Sequence, residues 1–379
     1  MINQKRFFGS SPILYPSVNM DPTASISATA TAPALSPTET CTHPKPGKNG
    51  YLPPEACDAI LLYVPSLGAA IFFTILFGLT TLCHAVQAFM FKKKYAWVVI
   101  MGASWELLAF VFRILQTRHQ DNVPYATAHT ILYLLAPLWI NAFIYMTLGR
   151  LIHFFIPERR LGGISAKRYG LIFVWLDILA FIVQLAGASI TTQREVPTST
   201  IMLGIHIYMG GIGLQELFVL IFGALTIHLH RRMVQMENYG GLDNEKTTRG
   251  SVSWRWLFAA LYAALILITI RIIFRLCQYA RGTDPTNPVL TQEAYEYVLD
   301  ATPMFLALLI LNVIHPGRVL QGPDSEFPRV SRKEKKRIKR EKKEAKRAEK
   351  ERKKSGKNED GRFESLTIQE GGQVYDSRA

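Results

Sequence analysis

Nine ionisable or amide side chains lie inside stretches of this sequence that are otherwise almost entirely apolar. They are Glu106, Arg113, Asp177, Gln184, Gln215, Glu216, Arg271, Arg275 and Asp300. A charge within a bilayer is costly unless it is paired or solvated, so such residues mark a pathway, a ligand site or a structural pair. Carboxylate, amide and guanidinium groups together suit the polar headgroup of an amphipathic molecule. We therefore take these nine as the candidate ligand-binding residues.

Their positions along the apolar stretches predict two layers. The layer near the outer membrane boundary contains Arg113, Arg271, Arg275 and Asp300. The deeper layer contains Glu106, Asp177, Gln184, Gln215 and Glu216. Arginine–carboxylate pairs between helices would neutralise the outer layer, which is a purely structural interpretation. The functional interpretation is a polar pocket, open to the outer leaflet, in which Glu106 and Glu216 face the amine of a lipid headgroup.

Seven long apolar runs must position these side chains. They cover residues 63–89, 96–115, 126–148, 169–189, 201–227, 254–276 and 297–314. About 20 apolar residues in a helix cross a hydrocarbon core roughly 30 Å thick. The sequence therefore predicts an all-α integral membrane protein, a bundle of seven transmembrane helices. Small residues of the fourth and fifth spans favour close helix packing around such a pocket: Gly187, Gly204, Gly210, Gly211 and Gly213.

Basic residues in the short loops predict the orientation of the bundle. The loops on the side of the C-terminus hold 13 Lys and Arg, and the opposite loops hold 3. Cytoplasmic loops carry this excess, so we expect the N-terminus outside and the C-terminus in the cytoplasm. The expected organisation is an extracellular Ser/Thr/Pro/Ala-rich tail (1–62), a membrane domain (63–320) and a basic, largely disordered cytoplasmic tail (321–379). Cys41 and Cys57 both fall outside, where a disulfide is allowed but not required.

Most of the net charge of the chain, +14, is confined to one segment of the C-terminal tail. Residues 329–357 hold 17 Lys and Arg and 5 Glu. No zinc-finger or RNA-binding signature accompanies them, so we expect no nucleic-acid partner. Two interpretations stay open: a solvated, charged helix, and an electrostatic contact of this segment with the anionic inner leaflet.

Sequence motifs of soluble enzyme sites are missing. There is no His-Glu-x-x-His, no Gly-x-Ser-x-Gly, no Walker A and no Rossmann glycine pattern. We therefore expect no catalytic residue, no metal site and no cofactor. An intramembrane hydrolase that uses a metal, three His and an Asp is the alternative left open by histidines scattered over the spans: His84, His129, His206, His228 and His315.

The most specific pattern lies in the last two spans. It consists of Arg271-Ile-Ile-Phe-Arg275, then Glu293, Tyr297 and Asp300, and finally His315-Pro316-Gly317. This pattern resembles the Arg-x-x-Phe-Arg, Glu-x-x-x-Tyr-x-x-Asp and closing His-Pro-Gly of the fungal lipid-translocating exporter family, also called RTA-like after resistance to aminocholesterol. Glu106 and Arg113 are similar to that family's Glu-x-x-Gly-Tyr-x-x-Arg. The resemblance extends over residues 63–320.

The resemblance implies a multi-pass protein, expected in the plasma membrane, whose partners are membrane lipids or amphipathic small molecules. It implies transbilayer movement or export of lipids such as sphingoid bases, and resistance to toxic amphiphiles. Two positions depart from the family pattern. Ala109-Phe110 replaces the Gly-Tyr, and Gln278 stands where a Glu is expected, which leaves the arginine pair with one acidic neighbour fewer.

A second function class fits the same topology. A seven-span receptor-like sensor, or a regulator of lipid asymmetry without transport activity, would also have its N-terminus outside. Arg150 lies at the inner end of the third span, where receptors often keep an arginine, but the acid that precedes it in receptors is missing. Both classes remain open at the level of the sequence.

The loop charges generate the first testable prediction. A tag placed before residue 40 should be accessible on intact cells, and a tag after residue 379 only after permeabilisation, because basic loops stay in the cytoplasm. Protease protection with each tag measures this. A C-terminal tag cleaved on intact cells would contradict the orientation.

Overall fold

Seven helices long and apolar enough to cross a membrane are found in the described part of the chain, as predicted. This computed structural model describes residues 63–191, 197–280, 282 and 286–327, and scattered positions on either side. The first six spans are α1 (Leu67–Phe91), α2 (Trp97–Arg118), α3 (Val123–Phe155), α4 (Ala166–Thr191), α5 (Thr198–Asn238) and, after the short α6 (Asn244–Thr248), α7 (Trp254–Tyr279).

The seventh span, Glu293–Val319, is built from short segments. After α8 (Pro288–Thr291) come α9 (Glu293–Glu296), a π-helical turn (Tyr297–Ala301), α10 (Thr302–Val313) and α11 (Pro316–Val319). Two 3₁₀ turns, Lys94–Ala96 and Pro323–Ser325, lie at the end of the bundle where α1 finishes. The strands described are β1 (Arg160–Leu161) and β2 (Ile164–Ser165), an antiparallel hairpin whose turn is Gly162-Gly163, both at positive φ.

Helix boundaries differ from the ends of the apolar runs. The first helix begins at Leu67 rather than at residue 63, because Pro65 disfavours helix before it and the Ser66 side chain caps the amide of Ala69. The fifth continues to Asn238 instead of ending at residue 227, because helix-forming polar residues extend it beyond the apolar stretch. Apolar length predicts where a helix crosses the bilayer, not where its hydrogen bonding stops.

The spans form a ring in chain order. Each of the seven packs against the next, and the seventh closes the ring on α1. The third and sixth spans, α3 and α7, are the most buried, whereas α1, α4 and α5 present much of their surface outward. We call the end of the bundle where α1 begins the N-side, and the end where α1 finishes the C-side.

Glycines bring α4 and α5 into close contact at three of the five positions that the sequence singled out, whereas Gly210 and Gly213 have open Cβ positions. A Cβ on Gly187 would lie 2.3 Å from the backbone nitrogen of Tyr208, and one on Gly211 would lie 2.8 Å from that of Gln184. Gly204 is equally enclosed, with its Cβ position 3.0 Å from the carbonyl of Gly187. Gly213, by contrast, has no atom near its Cβ position, so it takes no part in this contact.

The motif His315-Pro316-Gly317 closes the C-side of the seventh span. The His315 ring stacks on Phe91 with centroids 5.0 Å apart, and its Nδ1 accepts from the amide of Gly317 at 3.0 Å. A Cβ on Gly317 would lie 2.6 Å from Cβ of Phe91, so a larger residue is excluded there. The chain then returns to the loop after α1, where Ser325 bonds to Lys93 at 2.6 Å. Burial lowers the pKa of this lysine.

The C-terminal segment is a separate unit, residues 327–379. It is described at Phe327 and at nine positions between 334 and 348, all nine helical. Arg337 and Glu341 form an exposed pair at 3.3 Å, in agreement with the charged helix that the sequence allows. Cys41 and Cys57 fall outside the described residues, so their pairing stays an open prediction.

The α4–α5 contact generates the second prediction. Gly187→Ala should destabilise the bundle by about 1–3 kcal/mol, because the added methyl meets backbone atoms that cannot move aside. Gly210→Ala is the matched control, since its Cβ position is open. Thermal unfolding of the two purified variants in detergent measures the difference, and equal midpoints would show that the contact is not tight.

Candidate functional site

Asp300 holds two arginines of α7 at once and is fully buried. Its Oδ1 contacts Nε of Arg271, and its Oδ2 lies 2.6 Å from Nη2 of Arg275. Arg271 also donates to the carbonyl of Tyr133 at 3.1 Å, and both guanidinium carbons lie 5.4 Å from the centre of the Tyr133 ring. The pairing predicted between the sixth and seventh spans is therefore confirmed.

A π-helical turn gives Asp300 its direction. Within the turn, the hydroxyl of Thr302 donates a hydrogen bond to the carbonyl of Tyr297 at 2.8 Å. Because a π turn inserts one residue into the helix, it rotates the segment after it relative to the segment before it. The two glutamates of α9 thus face α1 and α2, whereas Asp300 faces α7.

Arg113 of α2 forms a second charged cluster nearer the N-side. Its Nη2 lies 2.9 Å from Glu293 and 3.6 Å from Glu296. The hydroxyl of Tyr63 accepts from Arg113 at 2.6 Å and donates to Glu296 at 2.8 Å. Nε2 of His129 is 3.8 Å from the same glutamate. Every arginine of the predicted outer layer is therefore paired with a carboxylate of the seventh span.

In the deeper layer, most polar side chains bond to a neighbouring helix. Gln184 of α4 donates to Gln215 of α5 at 3.0 Å. Asp177 of α4 accepts from Asn141 at 3.1 Å and from Tyr145 at 3.0 Å, both on α3. These bonds are of the interhelical kind that a structural interpretation expects.

The two deep glutamates have different surroundings. Glu216 is half-buried and lies near Thr269 of α7. Glu106 is fully buried, and within the described part of the chain neither of its carboxylate oxygens has a hydrogen-bond partner. Arg271, Arg275 and Asp300 are close enough to act on it electrostatically, but none of them is in contact with it. Of the nine, Glu106 is thus the one that is fully buried and has neither a hydrogen bond nor an ion pair to the described residues.

A cleft opens between α3, α4, α5 and α7 in the N-side half of the bundle. Its walls are Leu134, Pro137, Leu138, Phe181, Gln184, Tyr208, Ile212, Gln215, Ile268, Arg271, Ile272 and Arg275. Seven of these twelve side chains are apolar and five are polar, so the cleft is amphipathic. Its volume of about 30 Å³ holds one or two water molecules and no lipid headgroup. The conformation described is therefore closed.

The nine predicted residues are distributed around this cleft. Four of them line it: Gln184, Gln215, Arg271 and Arg275. Asp300 lies directly behind the arginines, and the other four, Glu106, Arg113, Asp177 and Glu216, are not among the lining residues. The sequence sorted the nine by depth into two layers, and the structure separates them into four residues that line the cleft, one that supports the lining arginines and four that are not part of the lining.

Three tyrosines of the site were not singled out from the sequence. Tyr63 bridges the Arg113 cluster, Tyr133 underlies the arginine pair, and Tyr208 lines the cleft. Aromatic residues in apolar runs look like packing residues, so no sequence signal distinguishes them. Gln278, which departs from the family pattern, still accepts from Arg275 at 3.2 Å but brings no charge.

The alternative of a metal-dependent hydrolase has no geometric support in the described residues. Among them, no group of three or more His, Cys, Asp and Glu side chains is placed to hold a metal ion. The five histidines singled out from the sequence lie on four different spans.

Comparison with known proteins identifies relatives. The family model described as "RTA1 like protein" matches residues 99–323. A probable lipid transporter of Emericella nidulans is 62% identical, over 82% of this chain and 81% of that protein. A lipid-translocating exporter-like protein of Leptosphaeria maculans is 27% identical, over 70% of this chain and 52% of that protein. A sphingoid long-chain base transporter of Saccharomyces cerevisiae is 24% identical, over 70% and 75%. No solved structure matches.

The buried ion pair generates the third prediction. Asp300→Asn should destabilise the protein by roughly 3–5 kcal/mol, because two buried guanidinium groups lose their counter-charge while the shape is kept. Glu158→Gln is the control, since its pair with Arg232 at 2.8 Å is exposed and contributes at most about 1 kcal/mol. Yield of monodisperse protein and thermal unfolding in detergent measure both. An Asp300→Asn protein as stable as the control would refute the importance of the pair.

Proposed function

The chain belongs to the RTA1-like family, and on that premise we propose that it moves amphipathic lipids across the bilayer. The protein is a multi-pass membrane protein, and its relatives are named as lipid transporters and exporters. We place it in the plasma membrane, with residues 1–62 outside, and assign it transport rather than catalysis. Its substrates are lipids with one long apolar chain and an amine- and hydroxyl-bearing headgroup, as in sphingoid bases.

The observation that supports this proposal most directly is the amphipathic cleft. Amide, phenol and guanidinium groups gather at its polar part, contributed by Gln184, Gln215, Tyr208 and the arginine pair. Aliphatic and aromatic side chains of α3, α4, α5 and α7 form the rest of the wall. A lipid with its headgroup among the polar groups would lay its chain along the apolar wall and remain in contact with the hydrocarbon.

Opening of the cleft requires α4 and α5 to move away from α3 and α7. The glycine contacts hold α4 and α5 to each other, so they would move as a pair. On the C-side, α3 and α4 are tied together, since a Cβ on Gly149 would lie 2.7 Å from the carbonyl of Ala166. The cleft lies in the opposite half, which therefore opens first. With the N-side outside, as the loop charges predict, the cleft would open toward the outer leaflet.

We assign headgroup recognition to the lining residues and to two carboxylates of the deeper layer. The amides and the phenol supply donors and acceptors for hydroxyl groups. Glu216 and Glu106, one half-buried and one fully buried in the deeper layer, are the carboxylates we assign to the amine. Because Asp300 already occupies both arginines, we assign them to position the headgroup rather than to bind a phosphate.

A reconstitution experiment tests the proposal and is the fourth prediction. Purified protein in vesicles free of other proteins should speed the transbilayer movement of a fluorescent long-chain base, measured by quenching of the outer leaflet. The double variant Gln184→Met with Gln215→Met should weaken the apparent affinity about tenfold, because two headgroup hydrogen bonds are lost while neither amide is left without its partner.

Gln235→Met, on the same helix α5 but away from the cleft, is the matched control and should transport like the unchanged protein. If the pure protein moves no lipid, yet its expression still protects cells against long-chain bases, the receptor-like or regulatory class is correct. If the double variant transports normally, the cleft is not the route.

A further inference from the structure

Glu106 occupies the most isolated position that a charged side chain has in the described bundle. It is the central residue of the span Lys94–Arg118, twelve residues from each end. At a rise of about 1.5 Å per residue this places it roughly 18 Å from either end of the helix. It is 0% exposed and has no hydrogen-bond partner among the described residues. A buried polar group without a partner requires an explanation beyond packing.

The charged groups that act on Glu106 lie on two other spans. Arg271 and Arg275 of α7 and Asp300 of the seventh span act on it without contact, and Tyr133 of α3 lies near it as well. The remaining helix packed on α2 is α1, whose titratable side chains are Cys83 and His84.

Nearby guanidinium groups favour the ionised form of a carboxyl group, whereas burial without a contact favours the protonated form. Opposed influences of this kind allow a carboxyl group both to bind and to release a proton.

The same arginines connect Glu106 to the cleft. They line the cleft on one side and hold Asp300 on the other. A cationic headgroup entering the cleft adds a positive charge to this buried group, and electroneutrality is restored when Glu106 loses its proton. We propose that Glu106 is the proton-binding site of a lipid–proton exchanger, in which one proton leaves Glu106 for each cationic lipid that binds. This inference rests on the proposed transport function and adds its energy source.

A line of polar groups leads from Glu106 to the N-side. The hydroxyl of Tyr133 has no hydrogen-bond partner in the described residues, and its ring stacks on His129 with centroids 5.3 Å apart. His129 lies 3.8 Å from Glu296, which is 22% exposed. No hydrogen bond among the described residues joins Tyr133 to Glu106, so a proton that follows this line needs water between the side chains.

The test uses purified full-length protein in vesicles with a pH difference across the membrane. The probe is fluorescent N,N,N-trimethylsphingosine, whose fixed charge prevents it from carrying a proton itself. One-for-one exchange predicts accumulation of the probe up to about tenfold for each pH unit imposed. Glu106→Gln should abolish accumulation, and Glu158→Gln, at the exposed surface pair, should behave like the unchanged protein.

The outcomes separate the two proposals. Probe movement that does not depend on the pH difference would contradict the exchange but not the transport function. Accumulation that is retained in Glu106→Gln would have the same consequence. No probe movement under any condition overturns the transport function and the exchange with it. Accumulation lost only in Glu106→Gln supports both.

A second measurement needs no variant. Dicyclohexylcarbodiimide reacts with protonated carboxyl groups in apolar surroundings, and peptide mass spectrometry locates the adduct. The unchanged protein in detergent should be labelled at Glu106, and labelling should fall at least severalfold when the pH is raised or the trimethylated probe is added. No adduct at Glu106 at any pH, or labelling unaffected by the probe, would overturn the assignment.

Discussion

The need to neutralise two buried guanidinium groups with one carboxylate constrains much of this bundle. Arg271 and Arg275 project from the most polar turn of a helix that is otherwise apolar, and Asp300 is the acid in contact with them. To reach them, the seventh span departs from regular α-helix by a π turn. The same departure leaves its first two glutamates free to pair with Arg113 on the other side. One change of helix register thus serves both charged clusters.

The single acid between two arginines leaves a positive charge that is offset only in the neighbouring cluster, where Arg113 has two carboxylates. Where the family pattern has a glutamate, this chain has Gln278, which accepts a hydrogen bond from Arg275 without cancelling its charge. Arg271 and Arg275 line the cleft and also act on Glu106. In the proposed exchange, structural pairing and ligand response are therefore properties of the same residues rather than competing explanations.

The sequence predicts the parts of this arrangement that depend on depth. Apolar length fixes the number of spans, and the cost of an unpaired charge requires Arg113, Arg271 and Arg275 to meet acids at a similar level. The direction in which each side chain points around its helix axis cannot be predicted from the sequence in the same way. The π turn is invisible in the residue pattern, and without it the direction of Asp300 cannot be assigned. For the same reason the isolation of Glu106, the role of Tyr133 and the lining of the cleft emerge only from the packed helices.

The strength of the contacts indicates which parts of the bundle move. The glycine contacts between α4 and α5 join backbones directly and leave no room for sliding. Within the described residues, the fully buried polar links from this pair to the rest of the bundle are the hydrogen bonds of Asp177 to Asn141 and Tyr145, and the ion pairs of α5 with Glu158 and Arg255 are exposed on the C-side. Each contributes only about 0.5–1.5 kcal/mol net, far less than a buried ion pair costs to break. Opening at the cleft therefore breaks the weaker links and leaves Asp300 with its arginines, so the charge that acts on Glu106 persists through the motion.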